Sequence, residues 1–125
     1  MEELSWLLMS ATFFWPAHWG VIVALDSDSE LDAAACKQLP KWVRCIIIER
    51  PPFYDQLNMT FRMLGGQNPG MVWKEWSECW ADRYSSADYI AVIDTDVVFV
   101  TFGIEQLLFA RGASNSVRPI IWGHA

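Results

Sequence analysis

The chain has 125 residues, of which 53% are apolar and 19% are charged, and its formal net charge is −6. This length and apolar share predict a single globular domain over residues 1–125 with a real core, and they exclude a disordered chain. Because the chain is acidic and has no basic stripe, nucleic acid is excluded as the expected partner.

The first predicted elements come from an uncharged, apolar stretch over residues 4–25, which is long enough to cross a bilayer. Pro16 and Gly20 lie inside this stretch, and a proline would break or kink a spanning helix. We therefore expect a helix over residues 4–15, a turn, and a strand over residues 21–25. Membrane association is the disfavoured alternative, and the acidic start of the chain argues against a signal peptide.

The remaining predicted elements alternate between helices and strands. Caps, turn residues and apolar runs predict helices over residues 30–37, 71–86 and 104–110, and strands over residues 42–49, 89–94, 97–100 and 119–122. Residues 53–69 are predicted to form a loop with one helical turn. This alternation predicts an α/β fold with a mainly parallel sheet and flanking helices. The tryptophans of the helix over residues 71–86 are expected in the core, and Arg83 is expected to be a structural cation.

The cysteines and histidines suggest no metal site. Cys36, Cys45 and Cys79 are odd in number and widely spaced. Such spacing fits neither a zinc site nor a disulfide framework, so buried free thiols are expected. Of the two histidines, His18 and His124, the second is not expected to bind a metal.

The most informative feature is a pair of aspartates, Asp94 and Asp96, at the end of the predicted strand over residues 89–94. Side chains at positions i and i+2 of a strand project to the same side, so the two carboxylates are expected to lie together and to be at least partly exposed. Ligands bind at the carboxyl ends of strands in open α/β sheets. Carboxylate oxygens at that place suit a hard divalent cation, and such a cation can neutralise a diphosphate.

The segment from Trp76 to Asp94-Thr95-Asp96 resembles the region around the DxD motif of nucleotide-sugar-dependent glycosyltransferases with the GT-A fold. The resemblance implies a Rossmann-like domain, a nucleotide-sugar donor, and Mn²⁺ or Mg²⁺ held by Asp94 and Asp96. In such enzymes the second aspartate contacts the cation directly, whereas the first acts through ribose or water. The turn after the first predicted strand resembles an acidic turn of the family, which implies that Asp26 contacts the nucleotide base.

Lys74 is a further candidate for cofactor or donor binding. A helix that runs antiparallel to the following strand places residues 70–74 near the DxD motif, so Lys74 is a candidate phosphate ligand, with a solvated lysine as the alternative. The resemblance covers residues 4–122 but only part of the family domain, so a partial domain truncated at both ends is expected. It implies a hexosyl-type transferase with an unknown acceptor, in the Golgi or secretory pathway if the enzyme is eukaryotic.

Two other functions fit parts of the sequence. Asp94-Thr95-Asp96 also resembles the first motif of haloacid-dehalogenase-type phosphatases, with Asp94 as the nucleophile and Asp96 as the general acid. The chain after Asp96 is shorter than the later motifs of that family require. The third alternative is a non-catalytic, truncated α/β module that serves only as a binding surface.

Overall fold

The computed structural model describes residues 2–52, 54–56, 69–112 and 116–120. Its elements in chain order are helix α1 (Glu2–Phe14), strand β1 (Val21–Asp26), helix α2 (Glu30–Cys36), strand β2 (Val43–Ile48), helix α3 (Pro69–Glu78), a 3₁₀ turn (Ala81–Arg83), helix α4 (Ile104–Leu108), and strands β3 (Phe109–Arg111) and β4 (Val117–Pro119). The chain divides into two compact units. Met1–Trp19 and Ile93–Ala125 form what we call the terminal unit, and Gly20–Val92 form the central unit.

The central unit is built on a parallel pair of strands. β1 and β2 pair in register from Val21 opposite Val43 to Asp26 opposite Ile48. β-branched side chains favour this pleated pairing, and Val23, Val43 and Ile48 are buried. The crossover helix α2 begins at the N-cap Ser29, whose Oγ accepts a hydrogen bond from the backbone N–H of Asp32 at 3.1 Å. The predicted strand–helix–strand order over residues 21–49 is therefore confirmed.

A disulfide joins α2 to β2. Cys36, at the end of the helix, is bonded to Cys45, in the strand, and their Cα atoms are 5.7 Å apart. Cys79 is a free cysteine and is exposed. The expectation of three buried free thiols was wrong, because the parallel crossover folds the end of α2 back beside the middle of β2. Sequence spacing alone does not reveal that approach.

Helix α3 is shorter than the helix predicted over residues 71–86. It ends at Glu78, and the chain continues into the 3₁₀ turn. Trp73 is buried, at 5% exposure, and its ring centroid lies 5.3 Å from that of Tyr54. Trp80 is 40% exposed. The core position expected for the tryptophans is thus correct for Trp73 and wrong for Trp80, because the helix ends before its periodicity reaches Trp80.

Residues 89–94 do not form a strand, so the predicted central strand was wrong. Tyr89, Ile90 and Val92 are exposed, although their side chains are apolar. A strand exists only when its backbone pairs with a neighbour, and in the described part of the chain the strands pair only as β1 with β2 and β3 with β4. Two such small sheets do not decide whether the fold is of the GT-A type, which stays a prediction.

The terminal unit contains α1, α4 and the antiparallel pair of β3 and β4. Leu4, Leu8 and Ala11 form one buried face of α1, and Ser10, which is also buried, lies off that face. Rings pack beyond its end: Trp15 lies 5.2 Å from Trp19 and 5.0 Å from Phe99, and Trp19 lies 5.5 Å from Phe109.

The expectation that residues 4–25 are not one continuous helix is confirmed. α1 ends at Phe14, and β1 begins only at Val21. Over the ranges that the structure describes, no helix combines the length and the apolar character needed to cross a membrane.

Candidate functional site

The paired aspartates lie in a turn of the terminal unit. Thr95 and Asp96 form the turn, and the backbone N–H of Val97 donates to the carbonyl oxygen of Asp94 at 3.3 Å. Both Asp94 and Asp96 are exposed. Because the backbone turns here, the argument from strand pleating no longer places the two carboxylates together. Their exposure matches the expectation that at least part of each carboxylate faces solvent.

The chain after this acidic turn, residues 94–96, is fixed to α1. The backbone N–H of Phe99 donates to Ser10 Oγ at 3.0 Å, and the Ser10 hydroxyl donates to the carbonyl oxygen of Leu7 at 2.8 Å. Ser10 is buried, at 5% exposure, so the bonded hydroxyl is shielded from competing water. The ring contact between Phe99 and Trp15 adds packing at the same point. The chain is therefore fixed to the buried Ser10 of α1 at Phe99, three residues after the end of the acidic turn.

Asp26 lies in the central unit, at the carboxyl end of β1. Its backbone N–H donates to Asp32 Oδ2 at 3.3 Å. Although Asp26 is exposed, partial desolvation of its carboxyl raises the pKa above the ordinary value of 3.8, and repulsion from the carboxylates of Asp32 and Asp28 raises it further.

Arg50 lies just beyond the carboxyl end of β2 and was missed by sequence reasoning. It pairs with Asp28 through two guanidinium nitrogens and with Asp55 at 3.3 Å. Its guanidinium also lies 5.1 Å from the centre of the Tyr54 ring. The hydrogen bond to Asp28 is the main cause that raises the pKa of Arg50. The sequence signal that could have found Arg50 is its position two residues after a strand of the parallel pair, since ligands bind at the carboxyl ends of such strands.

Lys74 lies on α3, in the central unit, and its ammonium is 3.8 Å from Glu78. Both side chains are partly exposed, so this (i, i+4) pair is a weak surface interaction. Asp26 and Lys74 therefore share one unit, and Asp94 and Asp96 share the other.

The described residues contain no group of three or more histidine, cysteine or acidic side chains that could enclose a metal ion. Mg²⁺ typically takes one or two protein carboxylates and completes its shell with water and substrate phosphates. Asp94 and Asp96 are exposed and each carries hard carboxylate oxygens, so either side chain has the donor chemistry that such a cation takes from a protein. His18 Nε2 lies 3.9 Å from Glu105 Oε2, and both residues lie outside the acidic turn. His124 lies outside the described residues.

Comparison with known proteins found no matching family model, no matching curated protein and no matching solved structure. Interpretation of the site therefore depends on the chemistry of its own residues.

Proposed function

We propose that this chain forms the donor-binding part of a metal-dependent glycosyltransferase that takes a sugar from a nucleotide-diphosphate sugar. The observation that supports this most is the acidic turn: Asp94 and Asp96 are both exposed, and the chain after them is anchored at Ser10. An exposed carboxylate on an anchored backbone is accessible to a hydrated cation. One or two such carboxylates are what Mg²⁺ takes from a protein when a diphosphate and water complete its shell.

Each aspartate has its own role in this proposal. Asp96 holds the cation directly, and Asp94 acts through a water molecule or the ribose. A bound Mn²⁺ or Mg²⁺ supplies Lewis-acid stabilisation of the departing nucleoside diphosphate. The contacts predicted for Asp26 with the nucleobase and for Lys74 with a phosphate stay predictions. The ion pair of Lys74 with Glu78 is weak enough for a phosphate to compete with it.

The test is calorimetric titration of uridine diphosphate and guanosine diphosphate, with Mn²⁺ or with a chelator, into the wild type and single variants. We expect binding only with Mn²⁺, a loss of at least about tenfold in Asp96→Ala, and a smaller loss in Asp94→Ala. Asp88→Ala is the matched control, because Asp88 is an exposed aspartate on the same stretch of chain and outside the turn. Binding that survives the chelator, or that Asp96→Ala leaves unchanged, would overturn the proposal.

A non-catalytic binding module is the second candidate, because many large apolar side chains are exposed. Val100 is 80% exposed and Phe102 is 79% exposed, both shortly after the acidic turn. Such exposure is typical of a surface that another protein surface covers. The same titrations separate the two candidates, since this module would bind neither nucleotide, with or without Mn²⁺.

A further inference from the structure

A groove opens at the carboxyl end of β2, wholly within the central unit. Its volume is about 330 Å³. Its walls come from the end of β2 with the residues that follow, from α3, and from the 3₁₀ turn with Tyr84. This volume is at the small end of the range for ligand sites, roughly 300–1,000 Å³. The groove therefore suits a ligand with one ring and one charged group rather than a complete nucleotide sugar.

The charges on the groove wall favour an anion. Arg50, Arg83 and Glu49 line it. Arg50 is already compensated by Asp28 and Asp55. Within the described residues no carboxylate pairs with Arg83, whose guanidinium lies 4.9 Å from the centre of the Trp80 ring. Among the described residues that line the groove, Arg83 is thus the cation that remains available to a ligand, and Glu49 is the charge that opposes an anion.

The rest of the wall offers ring surfaces beside that cation. Trp76 and Tyr84 are both half-buried and both line the groove. The Trp76 ring lies 5.6 Å from the Trp80 ring, over which the guanidinium of Arg83 rests. Tyr84 is held in place because Arg44 Nη1 donates to its carbonyl oxygen at 2.8 Å. Two aromatic residues therefore lie beside a guanidinium that no carboxylate of the described residues pairs with, and the backbone at Tyr84 is held by Arg44.

We infer that this groove binds a small aromatic anion, a planar ring that carries one phosphate or carboxylate group. The ring packs against Trp76 and Tyr84, and the anionic group pairs with the guanidinium of Arg83. The groove uses no residue of the acidic turn and needs no metal ion. Binding of an aromatic anion here is therefore independent of the proposed function and can be tested separately.

Four probes, titrated in the presence of a chelator and followed by calorimetry, test this inference: phenyl phosphate, benzoate, inorganic phosphate and benzyl alcohol. We expect at least one of the two aromatic anions to bind at least about tenfold more tightly than either inorganic phosphate or benzyl alcohol, since only an aromatic anion satisfies both halves of the wall. The preference between phenyl phosphate and benzoate identifies the anionic group. If neither aromatic anion binds at millimolar concentration, or if inorganic phosphate binds as well as both, the inference is overturned.

Three variants locate the binding. Arg83→Gln is expected to weaken binding of the preferred aromatic anion about tenfold, because one charge-assisted hydrogen bond is lost. Lys41→Gln is the control: it removes one positive charge from the same unit, at the amino end of β2. Glu49→Gln, at an exposed position, is expected to strengthen binding and so tests the charge argument even if Arg83→Gln does not fold. Equal effects of Arg83→Gln and Lys41→Gln, or no gain in Glu49→Gln, would contradict the assignment.

Discussion

Breaking the disulfide between Cys36 and Cys45 should lower the free energy of unfolding by about 2–3 kcal/mol. The bond links residues at a sequence separation of 9, so it closes a short loop and restricts the unfolded chain. Applied to this loop, the chain-entropy relation gives about 2.6 kcal/mol at 25 °C. The bond also ties the end of α2 to β2, so its loss should loosen the helix first.

The measurement is urea unfolding followed by circular dichroism, with and without a reducing agent. For m-values of about 1–3 kcal/mol/M, reduction should lower the midpoint of the wild type by roughly 1–2.5 M. Cys79→Ser should keep the wild-type midpoint and the full response to reduction. The double variant Cys36→Ser with Cys45→Ser should not respond to reduction at all. The reasoning is refuted if the unreduced, denatured wild type shows all 3 cysteines as free thiols, or if reduction leaves its midpoint unchanged.

Three further predictions concern stability and are measured by the same urea unfolding. Trp73→Ala should cost about 3–5 kcal/mol because it empties a buried ring site, whereas Trp80→Ala, at an exposed position, should cost far less; equal costs would contradict the burial. Ser29→Ala should cost about 1 kcal/mol through loss of the α2 cap, and a neutral result would count against that hydrogen bond. The folded-state pKa of Asp26 is raised, so the Asp26 carboxyl binds a proton more tightly in the folded protein than in the unfolded chain. The free energy of unfolding should therefore fall as the pH rises from 3.8 through the folded-state pKa of Asp26. Asp26→Asn should remove that fall and unfold at higher urea than the wild type at pH 7, and a wild-type pH profile in the variant would show that Asp26 is not its source.

Local signals in the sequence were enough to predict the helix, the turn and the strand at the beginning of the chain. Pro16 and Gly20 interrupt the apolar stretch. Proline does so because its ring fixes φ and removes the backbone N–H, and glycine because its backbone is conformationally free. The β-branched runs of β1 and β2, with Ser29 capping the helix between them, predict each of these three elements from neighbouring residues alone. These signals need no knowledge of distant parts of the chain.

Three of the failures involve partners outside the local sequence. The apolar run over residues 89–94 has the composition of a strand, but a strand needs a neighbour, and composition does not supply one. The pairing of Cys36 with Cys45 depends on how α2 folds back on β2. For the acidic turn, the sequence predicted that Asp94 and Asp96 are exposed. The turned backbone and the anchor at Ser10 depend on tertiary contacts, which the sequence does not show.

The terminal unit is discontinuous in sequence, and this has a consequence for the order of folding. Its two pieces are joined by contacts such as the hydrogen bond from Phe99 to Ser10, which spans 89 positions. Closing so long a loop costs more entropy when the enclosed chain is unfolded, because the cost grows with the number of free residues. If the central unit forms first, most of the enclosed chain is already ordered and the effective loop shortens. Refolding should therefore protect the backbone amides of β1 and β2 from hydrogen exchange before that of Phe99, which makes the contacts around the acidic turn the last to form.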